Sequence, residues 1–173
     1  MITATVLYIL FILAFIVHDG EEIAVQHKWV VAHGDVLSAR FPMLRHLFSY
    51  LRQLNTKAFA IAALEELVLL IVVTVYALIG GPYVIDLWSA IFIAFAIHLI
   101  VHILQAIVIR GYVPGLISSI LLSPLSYLGM QNICNTFNAS QLLLYGVIGV
   151  VMMMANLAFA HWLGMKTAKN KRQ

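Results

Sequence analysis

Seven side chains that can bind a metal or transfer a proton lie within or at the edge of strongly apolar segments of this chain. They are His18, Glu21, Glu22, Glu65, Glu66, His98 and His102. An ionised side chain at the centre of a membrane span costs roughly 2.5–3.5 kcal/mol even on a lenient insertion scale. Seven such residues in a small protein therefore require an explanation. Imidazole and carboxylate groups together are typical of metal centres and of proton relays.

The composition shows which solvent surrounds these residues. Of the 173 residues, 63% are hydrophobic and 10% are charged, against about half and about a quarter in soluble domains. A mean hydropathy of +0.99 over the whole chain excludes a soluble globular protein and a disordered one. The single cysteine, Cys134, excludes an internal disulfide and a thiolate-rich zinc site. Any metal must therefore be bound by His and carboxylate side chains.

Hydropathy and turn residues divide the chain into five predicted membrane-spanning helices. We place them at residues 3–25, 58–79, 87–109, 114–130 and 142–163. Turn-forming residues such as Gly80-Gly81-Pro82 and the 132–138 stretch separate them. The predicted fold is an all-α, polytopic helical bundle, with a single transmembrane domain over residues 1–165 and a basic cytoplasmic tail over 166–173.

The basic residues predict the orientation of the bundle. All ten Lys and Arg residues lie in the first connection, in the third connection or in the tail, and the second and fourth connections have none. The positive-inside rule therefore places the amino terminus outside and the carboxyl terminus in the cytoplasm. An even number of spans would break this alternation.

The first connection, about 30 residues long, has a pattern of its own. Between residues 41 and 54, apolar side chains recur at helical spacing with Arg45, His46 and Arg52 among them and Arg40 directly before them. This pattern predicts a basic amphipathic helix on the inner membrane surface. A plain connector would account for the charges alone and not for the apolar stripe.

The polar residues agree in depth. Counting from Lys28, Lys57 and Arg110 as cytoplasmic markers, Glu22, Glu65 and His102 lie roughly 9–12 Å into the membrane at a rise of about 1.5 Å per residue. These three residues come one from each of the first three spans, which run in alternating directions. A shared layer in the cytoplasmic half of the membrane indicates one site.

The spacing within each helix also favours a common site. His18 and Glu22 are four residues apart, as are His98 and His102, so each pair lies on one helix face. Glu65 and Glu66 differ by about 100° around their helix, which makes Glu65 the preferred ligand of the two.

We therefore predict a metal centre of His and Glu ligands, without thiolate. The predicted ligands are His18, Glu21, Glu22, Glu65, His98 and His102. This mixture favours one or two divalent ions of zinc or iron, with manganese also compatible. Whether Glu66, Gln105 and Asn156 take part stays open. Glu21 or Glu22 would act as a general base, and Tyr112 as a hydrogen-bond or proton donor.

The predicted function is that of a membrane-embedded metalloenzyme, hydrolytic or oxidative, acting on a lipid or lipophilic small molecule. Three other functions fit the same residues. They are a metal-free acid/base lipid isomerase, a proton-coupled or ion-binding transporter, and a haem protein in which His18 faces His98 or His102. Simple Glu–His pairing for helix packing is the structural alternative. No nucleic-acid signature is present, and the chain could form a homo-oligomer.

Two short motifs resemble those of a known family. The string His18-Asp19-Gly20-Glu21-Glu22 and the string Tyr112-Val113-Pro114-Gly115 are similar to the HXXEE and YXPG motifs of the HXXEE family of small bacterial membrane proteins. The resemblance implies a multi-pass protein of the bacterial inner membrane. It also implies one further important histidine, either His98 or His102. The family's function is uncharacterised, so the resemblance implies no reaction.

Overall fold

The computed structural model describes residues 4–170, with side chains described through Ala168. Its elements are α1 (Ala4–Arg40), a short 3-10 helix (Pro42–Leu44), α2 (Arg45–Gln53), α3 (Thr56–Leu78), α4 (Val84–Ile109), α5 (Leu116–Thr136) and α6 (Ala139–Asn170). The described part of the chain contains no strand, which confirms the all-α prediction. Residues 171–173 of the predicted basic tail and residue 3 of the first predicted span lie outside the described residues.

Four helices are long and apolar enough to cross a membrane: α1, α3, α4 and α6. Their outward faces carry large exposed apolar side chains, for example Val72 and Val151, as expected for helices in contact with lipid. Helix α5, which corresponds to the predicted fourth span, has 21 residues and contains four serines and Pro124. It is not among the four, so length and composition alone do not identify it as a span.

The first predicted connection is shorter than the sequence indicated. Instead of ending near residue 25, α1 continues without interruption to Arg40. The Arg40 guanidinium donates hydrogen bonds to the carbonyl oxygens of Ile109 (3.0 Å) and Val108 (3.2 Å) at the end of α4. The carbonyl groups at a helix end have no partner within the helix. Arg40 therefore caps α4, and this contact fastens the polar extension of α1 to the bundle.

The amphipathic segment after α1 is helical, as predicted. Helix α2 covers Arg45–Gln53 and follows the 3-10 helix that begins at Pro42. Only Phe48 of α2 is buried, and Arg52 forms an ion pair with Asp35 of α1 at 2.6 Å. This contact folds α2 back against the polar end of α1.

Aromatic side chains fill the space between α1 and α4. Phe11 packs against Phe92 and Phe95 with ring centroids 5.0 Å and 5.1 Å away, and Tyr8 packs against Trp88 at 4.9 Å. Large rings in this layer hold the two helices in a fixed register. One and two turns further along α1 and α4, the aromatic residues give way to the polar residues of the candidate site.

Helix α6 packs closely against α3 and α4 because small residues allow it. A Cβ atom at Gly149 would clash with the Ala90 carbonyl oxygen of α4, and one at Gly164 would clash with that of Ala58 in α3. Small residues at contact points are the usual means by which membrane helices approach each other. The two glycines therefore fix α6 as the fourth wall of a space bounded by α1, α3 and α4.

Candidate metal centre

Four of the predicted ligands meet in one cluster between α1 and α4. Each of His18, Glu22, His98 and His102 offers one ligating atom, and the four atoms lie within 4.8 Å of one another. His18, Glu22 and His102 are buried, and His98 is half-buried because it lines an adjacent cavity. The cluster combines three imidazole groups with one carboxylate.

The distances within the cluster suit a shared cation. The Nε2 atom of His102 lies 3.0 Å from Nε2 of His98 and 3.3 Å from Oε1 of Glu22. In a tetrahedral site with metal–nitrogen distances of about 2.0–2.1 Å, neighbouring ligand atoms are roughly 3.3 Å apart. Two of the six ligand separations therefore already match such a site, and all four ligating atoms lie within 4.8 Å of one another.

A hydrogen-bond chain sets the tautomer of His18. The Ser118 hydroxyl group donates to the Gly115 carbonyl oxygen at 3.2 Å, so its oxygen is free to accept from Nδ1 of His18 at 2.9 Å. With the proton on Nδ1, the lone pair of His18 is on Nε2. That atom is buried and has no hydrogen-bond partner among the described residues. A fixed tautomer with an unpaired nitrogen is the usual state of a metal-binding histidine.

The turn before α5 forms one wall of the cluster. The Leu116 amide donates to the Val113 carbonyl oxygen at 3.2 Å, and Gly115 has φ +81° and ψ −6°. These values describe a type II turn with Pro114 and Gly115 at its centre. A Cβ atom on Gly115 would lie 2.9 Å from Cε1 of His102 and 3.0 Å from Cε1 of His18. Only glycine fits there, for both backbone and steric reasons.

Glu21 lies outside the cluster, although it was among the predicted ligands and bases. Its carboxylate accepts hydrogen bonds from the Tyr112 hydroxyl group (2.7 Å) and from the backbone amides of Ser118 (2.6 Å) and Ile117 (3.3 Å). A carboxylate at the first turn of α5 satisfies free amide groups and interacts favourably with the helix dipole. Glu21 thus fastens α5 to α1 and holds Ser118 beside His18.

Tyr112 is the other half of this contact. The tyrosine is 38% exposed and lies in the connection between α4 and α5. Burial and its hydrogen bond to the Glu21 carboxylate raise the pKa of Tyr112 above its usual range. The phenol is therefore a hydrogen-bond donor to Glu21 and not an acid that ionises near neutral pH.

Replacing Tyr112 by Phe tests this positioning role. We expect Tyr112→Phe to lower the free energy of unfolding by about 1.5 kcal/mol, the lower end of the range for a hydrogen bond to a charged group, because the tyrosine is partly exposed. Thermal unfolding in detergent measures the change. Tyr83→Phe, at a tyrosine that is 84% exposed, is the matched control and should have little effect. Equal stabilities of the two variants would contradict the role.

The remaining candidates are distributed around the cluster. Glu65 accepts a hydrogen bond from the Asn156 side chain at 3.2 Å, which links α3 to α6. Glu66 faces the same cavity as Glu22 and His98. Gln105 lines a separate, smaller pocket against Phe48. None of these four residues belongs to the group of four ligands.

Comparison with known proteins gives a family and no reaction. The model of a family described as "Protein of unknown function with HXXEE motif" matches residues 9–129. The chain belongs to the HXXEE family. No curated protein and no solved structure matches the chain. The matched segment of the HXXEE family runs from the aromatic layer of α1 to the middle of α5, and it contains all four residues of the cluster.

The structure gives the two HXXEE-family motifs different tasks. The first motif supplies His18 and Glu22 to the cluster and Glu21 to the start of α5. The second forms the type II turn and supplies Tyr112 to Glu21. Both His98 and His102 join the cluster, so each could be the further histidine. Sequence reasoning missed Ser118, because only the hydrogen bond across 100 residues of chain reveals it.

Proposed function

We propose that this protein binds one divalent transition metal ion through His18, Glu22, His98 and His102 inside the membrane. The observation that carries the proposal is the Nε2 atom of His18, which is buried, directed by its tautomer toward ligation, and unpaired among the described residues. An unsatisfied buried acceptor costs about 1–3 kcal/mol. A metal ion would satisfy it together with the neighbouring imidazole and carboxylate groups.

The donor set favours zinc or iron. Three imidazole nitrogens and one carboxylate oxygen suit Zn²⁺ and Fe²⁺, and a harder ion such as Mn²⁺ is compatible but prefers more oxygen ligands. Among the described residues, the one cysteine is exposed and is not a member of the cluster, so thiolate does not contribute. The Glu22 carboxylate in the cluster and the nearby carboxyl groups of Asp19 and Glu66 together compensate the positive charge of the ion.

We propose that the protein that holds this site spans the bacterial inner membrane five times. Helix α5 is then the fourth of five spans, with the amino terminus of the protein outside and the carboxyl terminus inside. Two features support this orientation: the basic residues follow the positive-inside rule with five spans, and α5 packs against both α1 and α4. The metal centre then lies in the cytoplasmic half of the membrane.

A cavity beside the cluster supports an enzymatic function on a lipophilic substrate. It has a volume of about 730 Å³ and reaches Glu22 and His98, within the range of ligand-binding pockets. A metal at this position would activate water or polarise an oxygen atom of the substrate. Glu22 would bind the metal through one carboxylate oxygen, and its second oxygen is then the one available to accept a proton, because Glu21 is already engaged by three donors.

Metal-linked stability tests the proposal. After treatment with a chelator, addition of Zn²⁺ at about 100 times its dissociation constant should raise the free energy of unfolding by about 2.7 kcal/mol. Thermal unfolding in detergent measures the shift. His98→Ala should remove most of this stabilisation by Zn²⁺, since one of the four ligands is lost. A wild-type protein that unfolds at the same temperature with and without Zn²⁺ would contradict the proposal.

One observation favours a second candidate, metal-free proton transfer. Glu22, His102 and His98 form a continuous chain with separations of 3.3 Å and 3.0 Å, which could carry a proton during isomerisation of a lipid. This proton path does not involve the unpaired Nε2 atom of His18, so we rank proton transfer below metal binding. An activity that survives chelation would favour it.

The ring geometry disfavours the haem alternative. The centroids of His18 and His98 are 5.0 Å apart, as are those of His18 and His102, and the rings meet edge to face. The side chains thus contact one another directly. No planar macrocycle fits between them without a rearrangement of α1 and α4.

A further inference from the structure

The polar residues that line the cavity beside the metal centre all lie toward one end, where they are mixed with apolar ones such as Phe59 and Phe159, and the other end is wholly apolar. Gln26, Glu22 and Asp19 line it from the later turns of α1, and Phe15 and Phe11 line it from the earlier turns. The same division occurs on the neighbouring helices, which run in alternating directions. On α3, α4 and α6 the polar lining residues are Glu66, His98, Asn156 and His161, and the apolar ones include Leu70, Val73, Leu87, Ile91, Met152 and Met153.

This distribution of polar and apolar lining residues matches that of an amphiphile, which has a polar head group and an apolar chain. Between Glu66 and Val73 the helical rise is about 10 Å, so the apolar end can accommodate a substantial part of an alkyl chain. The polar end adjoins Glu22 and His98 of the metal centre. A bound molecule would therefore place its head group beside the metal centre and its chain in the apolar part of the cavity.

The charges at the polar end restrict the head group. Three carboxyl groups line the cavity there, those of Asp19, Glu22 and Glu66, and they are close enough to interact electrostatically. Among the described residues, no Lys or Arg lines the cavity. Placing like charges together in a buried site costs several kcal/mol. A divalent ion in the cluster would carry two positive charges against up to three negative charges on these carboxyl groups, so a phosphate or carboxylate head group would find no excess of positive charge here.

We propose that the cavity binds a single-chain lipid whose head group donates hydrogen bonds and carries no negative charge, such as a long-chain amine or alcohol. This inference rests on the proposed function in that the ligand would be the substrate of the metal centre. Binding itself depends on the carboxyl groups and on the apolar end of the cavity, and it can be tested separately from metal content.

The test uses the full chain in phosphatidylcholine nanodiscs and a dodecylamine that carries a photoreactive diazirine in its alkyl chain. Unlabelled dodecylamine should suppress photolabelling at a concentration about tenfold or more below that of dodecanoate, because only the carboxylate is repelled. Glu66→Gln should reduce this preference, whereas Glu65→Gln, at a residue bonded to Asn156, should leave it unchanged.

Two adjacent valines provide a matched pair for the apolar end. Val73 lines the cavity, whereas Val72 is 58% exposed and faces outward. We expect Val73→Trp to lose saturable labelling by dodecylamine and Val72→Trp to retain it, with the metal content of both equal to that of the wild type. Equal competition by dodecanoate, or equal labelling of both variants, would overturn the inference. If the wild-type protein contained no metal but still bound dodecylamine in preference to dodecanoate, only the proposed metal site would be overturned.

Discussion

Replacement of His18 by alanine should weaken Zn²⁺ binding by at least about a hundredfold, since loss of an outer-shell partner alone costs about 10–100-fold. His18 is fully buried, and its Nε2 atom is oriented for ligation by the hydrogen bond from Nδ1 to Ser118. Zn²⁺ titration of the chelator-treated protein, followed by calorimetry, measures the change.

Two variants make the His18 result specific. Ser118→Ala removes the outer partner and leaves the ligand, so it should weaken Zn²⁺ binding about 10–100-fold. His161→Ala removes another buried histidine with an unpaired Nε2 among the described residues, but one outside the cluster, and should leave Zn²⁺ binding unchanged. The same affinity in His18→Ala as in the wild type would show that the cluster is not the metal site.

Replacement of Gly115 by alanine should have the second large effect. The new methyl group would approach both His102 and His18 to about 3 Å or less, so at least one imidazole ring must move away from the cluster. The left-handed backbone at this position costs an additional 1–2 kcal/mol or so for any other residue. We expect at least tenfold weaker Zn²⁺ binding, about the effect of disturbing an outer-shell contact, together with a lower unfolding temperature.

Gly20 is the matched control for Gly115. It lies within the HXXEE motif, but a Cβ atom there meets nothing within 4 Å, and it is inside α1. Gly20→Ala should therefore keep the metal and be as stable as the wild type or more stable by up to about 1 kcal/mol, the difference in helix propensity. If Gly115→Ala bound Zn²⁺ as tightly as Gly20→Ala, the turn would not shape the site.

The sequence was sufficient to predict the long helices and the four residues that meet in the cluster, but not the contacts that position them. Hydropathy predicted each long helix to within a few residues at most ends, because lipid requires long apolar segments. The largest exception is the end of α1, which continues to Arg40 through a polar region. Helices α5 and α6 also continue, to Thr136 and Asn170, beyond the predicted ends of their spans. The contacts that support this extension, such as that of Arg40 with Ile109, join residues distant in the chain, and hydropathy carries no information about them.

The same distinction applies to the cluster. The spacing of four residues predicted that His18 and Glu22 share a face, and likewise His98 and His102, and the structure brings both pairs together. Glu21 fitted the same depth and spacing but lies beside α5. Its position depends on the free amide of Ser118, 97 residues away. A local pattern fixes the face of a helix, whereas the neighbouring helix decides which carboxylate reaches the centre.

Elemental analysis of the wild-type protein, purified in detergent without added metal, tests directly whether the cluster holds a metal ion. We expect about one zinc or iron ion per chain, as for a single site with three imidazole ligands and one carboxylate ligand. Metal-edge X-ray absorption of the same sample should show nitrogen and oxygen ligands without sulfur. A folded, monodisperse protein with no transition metal above background would contradict the account.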